Sequence, residues 1–194
     1  MIHPDTLLQE IDPVVGVGVV ATQLIPRGTL TWCLDPLDQT LGPARVAGLP
    51  AAYGPTLERY TYADGAGNRV LCWDGGRWMN HSCAPSCAGT GLGFEVALRD
   101  IHPGEQLTND YQTLALTESE GFTCRCGAPT CRGQISAGDG KFIENALLVA
   151  VREALLAAGP LEQPLASLLD SPARARLAAL LGGLDHPLLR ASGA

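Results

Sequence analysis

The sequence predicts a mainly β domain followed by an α-helical C-terminal part. Three observations predict it. Between residues 14 and 111 the chain reads as short runs of β formers separated by Gly and Pro turns. The proline-rich stretch within that region leaves room for short helices only. Near residue 140 the apolar residues change to helical spacing.

In order along the chain, Gly16-Val17-Gly18-Val19-Val20-Ala21 is a glycine-punctuated β run, and Ile25-Pro26-Arg27-Gly28 is a turn. Thr29-Leu30-Thr31-Trp32-Cys33-Leu34 is a second run of β formers. Pro36, Pro43, Pro50 and Pro55 make residues 35–59 loops with at most short helices. Tyr60-Thr61-Tyr62 and Val70-Leu71-Cys72-Trp73 flank the Gly-rich residues 64–68, a hairpin with a longer loop. Phe94-Glu95-Val96-Ala97-Leu98-Arg99 alternates like a strand with one buried face. His102-Pro103-Gly104-Glu105 turns the chain into another short strand over residues 106–111. Then Ile143, Ala146, Leu147, Ala150, Val151, Ala154, Leu155 and Ala158 share a helix face, which Gly159-Pro160 ends. Ser171-Pro172 reads as an N-cap with proline at the first helical position, and Gly182-Gly183 ends this second helix. The helical part is expected to pack on the β domain or to pair with a second copy as a homodimer, and the final residues to fray.

With 194 residues and 46% hydrophobic content, the chain can bury a real core, which excludes general disorder. Its net charge of −7 argues against non-specific binding to nucleic acid or an anionic membrane and suits a Lys/Arg-rich partner. Met1-Ile2-His3-Pro4-Asp5 has neither the basic nor the apolar region of a signal peptide. The apolar stretch 143–158 is cut by Glu144, Arg152 and Glu153, so no membrane span is expected. Seven cysteines, an odd number without a signal peptide, point to a metal site in a reducing compartment, hence to the cytoplasm.

The strongest local motif is Cys124-Arg125-Cys126-Gly127-Ala128-Pro129-Thr130-Cys131. Three thiolates around a turn can converge on one ion, and zinc prefers four ligands, with sulfur favoured. The fourth must come from elsewhere: Cys83, Cys87, His81 or a cysteine deeper in the strands. Cys33 and Cys72 sit in strand-like runs and read as buried hydrophobes. Two further motifs are Arg77-Trp78-Met79-Asn80-His81-Ser82-Cys83-Ala84-Pro85 and Gly104-Glu105-Gln106-Leu107-Thr108-Asn109-Asp110-Tyr111. Adjacent Ser82 and His81 make a poor nucleophile–base pair, because neighbouring side chains rarely aim at each other.

Gly-x-Gly, then Asn-His-Ser-Cys, then Gly-Glu-x-Leu-Thr-x-Asp-Tyr, then Cys-x-Cys-x4-Cys is an order that resembles the SET-domain protein-lysine methyltransferases, over about residues 10–136. The resemblance implies a SET domain over 10–118, a post-SET zinc module over 119–136, and a helical appendage over 140–194 outside the family pattern. The implied fold is a set of small antiparallel sheets with a pseudoknot between the Asn-His-Ser-Cys and Tyr111 segments. S-adenosylmethionine would lie against Gly16, Val17, Gly18, Asn80, His81 and Tyr111. Tyr111 would be the catalytic tyrosine. Tyr60 would join it, with Tyr62 and Asn109 completing the substrate channel. Cys83 would be the fourth ligand of a structural zinc with Cys124, Cys126 and Cys131.

The implied substrate is a lysine in a basic protein or peptide. Three departures stand out: Val17 where many members carry a basic or bulky residue, Ser86 for the usual Asn, and Asn109 where Phe or Tyr often helps set the number of methyls added. The alternative is a SET-like module that binds basic peptides with little or no catalysis. The presence of Asn80, His81 and Tyr111 together favours the enzyme. A zinc-stapled interaction protein working through its helical tail would leave the Asn-His-Ser-Cys motif without a purpose.

Overall fold

The structure, a computed structural model, describes residues 1–89, 91–114, 121–136, 140–159 and 161–190. The expected boundary at 118/119, Pro160 and the last four residues lie outside that set. β1 (Thr6–Asp12) and β2 (Gly16–Ala21) form an antiparallel hairpin. β2 is the expected glycine-punctuated run. β1 has no signature in the sequence because Leu7, Leu8, Gln9 and Glu10 are all exposed, so neither face alternates.

β3 (Leu30–Cys33) is buried throughout and does not pair with β2. It joins β9 (Phe94–Ala97), which in turn pairs with β8 (Cys87–Ala88), all antiparallel. A second three-stranded sheet has β6 (Arg69–Leu71) between β4 (Gln39–Leu41) and β5 (Thr61–Ala63). β5 and β6 are the expected hairpin. Asp64 Oδ1 accepts from the N–H groups of Ala66 and Asn68, at 2.9 and 2.8 Å, and so shapes its loop. The proline-rich stretch contributes α1 (Pro43–Ala47) and α2 (Gly54–Tyr60), both short as expected.

β7 (Asn80–His81) and β10 (Thr108–Asn109) pair in parallel, two residues each. This is where the two segments expected to build the pseudoknot meet. The strand expected over 106–111 stops at Asn109 because the Asp110 carboxylate accepts from Gln112 N–H at 3.1 Å and starts a 3-10 turn over Tyr111–Thr113. β11 (Phe122–Thr123) and β12 (Gln134–Ile135) form a hairpin whose connecting segment carries the cysteine cluster.

The C-terminal part contains α3 (Gly140–Ala157), α4 (Ser171–Leu180) and α5 (Pro187–Arg190). Asp170, not Ser171, caps α4: its carboxylate accepts from Ala173 N–H at 2.7 Å, and Ser171 lies in the first turn. A carboxylate there also meets the positive end of the helix dipole. Of the two expected roles of this part, packing on the β domain is observed. Val151, Ala154 and Leu155 of α3 and Leu177 of α4 enclose one core with Leu30, Phe94 and Val96. α3 begins against the 3-10 turn, where a Cβ on Gly140 would lie 2.6 Å from the Gln112 carbonyl oxygen. Only glycine permits that approach. A second core lies under β2 and gathers Val19, Ile25, Met79, Ile101 and Leu107. Among the described residues, no helix is long and apolar enough to cross a membrane.

Candidate active site and thiol cluster

Gly18 in β2 has no room for a side chain. A Cβ there would come within 2.6 Å of Gln106 Oε1, 2.7 Å of Asn80 Nδ2 and 2.9 Å of an Ile11 carbon. The Asn80 amide donates to the Val17 carbonyl at 3.2 Å and to Gln106 Oε1 at 3.0 Å. The structure thus brings Gly16, Val17, Gly18 and Asn80 together. Gln106 is a partner that only the fold reveals.

His81 is the hinge between this group and Tyr111. Its Nδ1 accepts from Tyr111 N–H at 3.1 Å, and Ser82 N–H donates to the Asn109 carbonyl at 2.9 Å. The rings of His81, Tyr111 and Phe122 meet mutually, with centroids 5.5 to 6.1 Å apart. Burial holds the His81 ring below the usual imidazole range against the pull of Asp110. With Nδ1 accepting, the neutral ring carries its hydrogen on Nε2, which faces Cys83 Sγ at 3.3 Å.

The Tyr111 hydroxyl donates to the Met79 carbonyl at 2.6 Å. Burial, helped by the charge of Glu95, pushes this phenol up to about 12. Tyr111 faces a cleft of about 1190 Å³, which Tyr60, Tyr62, Asn109 and Trp32 also line. Tyr60 stacks edge-on against Trp78 at 4.9 Å, and Tyr62 against Trp32 at 6.1 Å. Burial pushes the Tyr62 phenol up as well, so it stays protonated. The expected channel residues therefore share one cleft. Gly16, Val17, Gly18, Asn80 and His81 do not line it; Tyr111 belongs to both groups. Lys141 and Glu144 of α3 stand on its wall, so the helical part belongs to the site although it lies outside the family motifs.

Two groups here escape a reading of the sequence. Glu95 looks like the solvent-facing residue of an alternating strand, but its carboxyl lies beneath the cleft and accepts from Asn109 Nδ2 at 2.5 Å. Arg132, one residue past the cysteine motif, closes a two-pronged ion pair on the buried Asp110. No spacing rule flags either.

The thiols of Cys83, Cys124 and Cys126 converge with His81, all ligand atoms within 4.8 Å of one another. Cys131, expected among the ligands, is not one of that group; its thiol donates to the Cys124 carbonyl, with Sγ 3.8 Å from the oxygen. Cys87, a sequence candidate for fourth ligand, is fully buried in β8 beside the Ser86 hydroxyl and stands outside the group. Cys33 and Cys72 are buried, as expected. Within the cluster, burial and neighbouring sulfurs push Cys124 up to about 12. Burial also acts upward on Cys126, but N–H groups of Cys83 and Ala128 with the flanking thiols hold it down at about 6. Crowded thiols suit a cation, which would let all of them ionise.

A family model described as the SET domain matches residues 16–112. Among curated proteins, a histone-lysine N-methyltransferase, H3 lysine-4 specific, of Schizosaccharomyces pombe is 43% identical over 67 residues, 31% of this chain and 7% of that protein. The histone-lysine N-methyltransferase ash1 of Drosophila melanogaster is 46% identical over 66 residues, 30% of this chain and 3% of its own. The human histone-lysine N-methyltransferase 2D is 38% identical over 63 residues, 29% of this chain and 1% of its own. The chain thus spans 7% or less of the length of these three relatives.

Proposed function

The chain belongs to the SET-domain family, and from that premise we propose that it transfers a methyl group from S-adenosylmethionine to the side-chain amine of a lysine in a basic protein. The observation that carries this reading is the pairing of β7 with β10, which lays Asn80 and His81 beside the segment whose Asn109 and Tyr111 line the tyrosine-walled cleft, with the His81 ring against Tyr111.

Gly16, Val17, Gly18, Asn80, His81 and Tyr111 would hold the cofactor. The residues fit it: a Cβ on Gly16 would meet only the Arg59 guanidinium, at 3.9 Å. An open glycine edge beside a cation suits an amino-acid carboxylate. When bound, S-adenosylmethionine supplies a methyl group activated by a positive sulfonium. The chain's own part is placement, and holding an amine in line for attack is worth roughly 7–11 kcal/mol. The Tyr111 hydrogen is spent on the Met79 carbonyl, so its oxygen is left to accept from the amine. Tyr60 and Tyr62 wall the lysine stem. A lysine titrates near 10.4 in water, so freeing its lone pair at pH 7 costs roughly 4–5 kcal/mol. Removal from water between these rings lowers that cost.

Cys83, Cys124, Cys126 and Cys131 would hold a structural zinc. What supports it is the convergence of the Cys83, Cys124 and Cys126 sulfurs, with Cys131 approaching the Cys124 backbone from the same hairpin. We take Cys131 rather than His81 as the remaining ligand because Tyr111 N–H donates to His81 Nδ1, which in a neutral ring leaves the hydrogen on Nε2, facing Cys83 Sγ. The metal would fix the β11–β12 hairpin beside Tyr111. Lysine 4 of histone H3 is the first substrate to try, on the names of relatives, and the −7 charge favours a basic segment around the lysine. The odd count of seven cysteines, three of them in one short motif, suits a reducing, cytoplasmic setting.

The test is transfer of labelled methyl from S-adenosylmethionine to a cell extract and to an H3 lysine-4 peptide, with labelled positions identified by mass spectrometry. Label on lysine is expected. Label on the protein itself would report Lys141, the chain's sole lysine. Failure to label any lysine, with S-adenosylhomocysteine bound, would favour a peptide-binding module.

A further inference from the structure

Glu95 sits on β9, the central strand of its sheet, between Phe94 and Val96, which both point into the core. Strand alternation turns Glu95 the other way, toward the cleft. There it meets Asn109, and it shares the cleft lining with Met79, Tyr62 and Tyr111. Only Oε1 is satisfied. Oε2 is shut from solvent and has no hydrogen-bond partner, and no cation pairs with the carboxylate among the described residues. A buried carboxylate oxygen without a partner is costly, and its presence asks what completes it.

We propose that Glu95 receives the amino group of the substrate lysine at the floor of the cleft and takes up the proton that the ammonium must lose, with Asn109 holding the carboxyl in place. This rests on the methyl-transfer reading. The occupant follows from the walls and the floor. Aromatic sides fit a four-carbon stem, and an acid at the end fits the single charge that lysine carries there. In the step, one N–H bond of the ammonium breaks and one O–H bond forms on the Glu95 carboxyl. The pair left on nitrogen takes the methyl carbon as the carbon–sulfur bond of S-adenosylmethionine breaks, its electrons going to sulfur. The product leaves as a methylammonium, and the carboxyl returns its proton to solvent through the emptied cleft.

Two further facts agree. Burial pushes Glu95 up to about 7, against the opposing hydrogen bond from Asn109, so the group exchanges a proton near neutrality. The titratable groups around it are Tyr62, Cys72, Cys87, Cys33 and Tyr111, on β5, after β6, on β8, on β3 and in the 3-10 turn. All are pushed upward by burial first and by the Glu95 charge among other causes, so they stay neutral while Glu95 titrates.

The experiment uses the best binder from an array of lysine-centred basic peptides, and the same peptide with norleucine in place of lysine, which keeps the stem and drops the amine. Wild type should prefer lysine roughly tenfold or more, the worth of one charge-assisted hydrogen bond, and Glu95→Gln should lose that preference. In transfer assays Glu95→Gln should lower kcat/KM at pH 7 by about 100-fold or more. It should also remove an inflection near pH 7 that wild type displays, with S-adenosylhomocysteine affinity and melting behaviour confirming an intact fold. Wild type that binds both peptides equally, or neither, overturns the proposal. So does a Glu95→Gln variant that transfers methyl with the wild-type pH profile, and in that case the methyltransferase reading stands. A Glu95-dependent preference for lysine without any methyl transfer supports the amine site and sinks the methyltransferase reading instead.

Discussion

The Arg132 guanidinium holds the buried Asp110 carboxylate by two hydrogen bonds, at 2.8 and 2.7 Å. Asp110 also shapes the turn that presents Tyr111, and the Arg132 N–H donates to Cys83 Sγ at 3.4 Å. One residue therefore ties the thiol cluster to the proposed catalytic tyrosine. Removing one partner of such a pair strands the other. Arg132→Ala should cost on the order of 3 kcal/mol and reduce methyl transfer more than cofactor binding. Chemical denaturation and kinetics check this, and a variant with unchanged stability would make the pair a surface decoration.

The thiol cluster should bind one zinc per chain. On the proposed ligand set, Cys83→Ser and Cys131→Ser should each reduce zinc content sharply, while His81→Asn should keep it. Elemental analysis of the three variants decides. Zinc lost with His81→Asn and kept with Cys131→Ser would reverse the assignment of the fourth ligand.

Gly18 should tolerate no Cβ, since three atoms lie within 2.9 Å of where it would stand. Gly18→Ala should destabilise by about 1–3 kcal/mol and weaken S-adenosylhomocysteine binding in calorimetry. Gly65 meets nothing within 4 Å, so Gly65→Ala is the matched control with no effect on either.

Glu95 makes a prediction about stability and pH with a definite sign. Its folded value, about 7, lies above the ordinary 4.5, so the folded state holds this proton more tightly than the unfolded state. The stability it contributes is full below pH 4.5 and is lost as pH rises through 7. Glu95→Gln should match wild type near pH 4 and exceed it at pH 8 by roughly 3 kcal/mol at most. Melting curves across that range check it, and a gap that shrinks with rising pH would contradict it.

The sequence made the site legible where chemistry repeats in a fixed order, and blurred it where only the fold brings residues together. The β5–β6 hairpin, β9 and α3 follow from local periodicity and turn residues. The partnering of β3 with β9 does not, because pairing between strands some 60 residues apart leaves no local trace. β1 was invisible because it is exposed on both faces. Asn80, His81 and Tyr111 were legible from their motifs, and the structure joins them by parallel pairing. Glu95 and Arg132 were not, since a lone acid in a strand and an Arg after a cysteine look like ordinary surface residues. α4 begins at a carboxylate cap one residue before the serine that the Ser-Pro pattern suggested.

The most direct measurement of the central claim is the single-turnover rate of methyl transfer from S-adenosylmethionine to a lysine peptide by wild type and by Tyr111→Phe. The substitution removes the hydroxyl that donates to the Met79 carbonyl and keeps the ring that packs on His81 and Phe122. A fall of about 100-fold or more, with melting temperature and S-adenosylhomocysteine affinity little changed, is the expected result. An unchanged rate in a folded Tyr111→Phe variant would contradict the assignment of Tyr111 as the catalytic tyrosine.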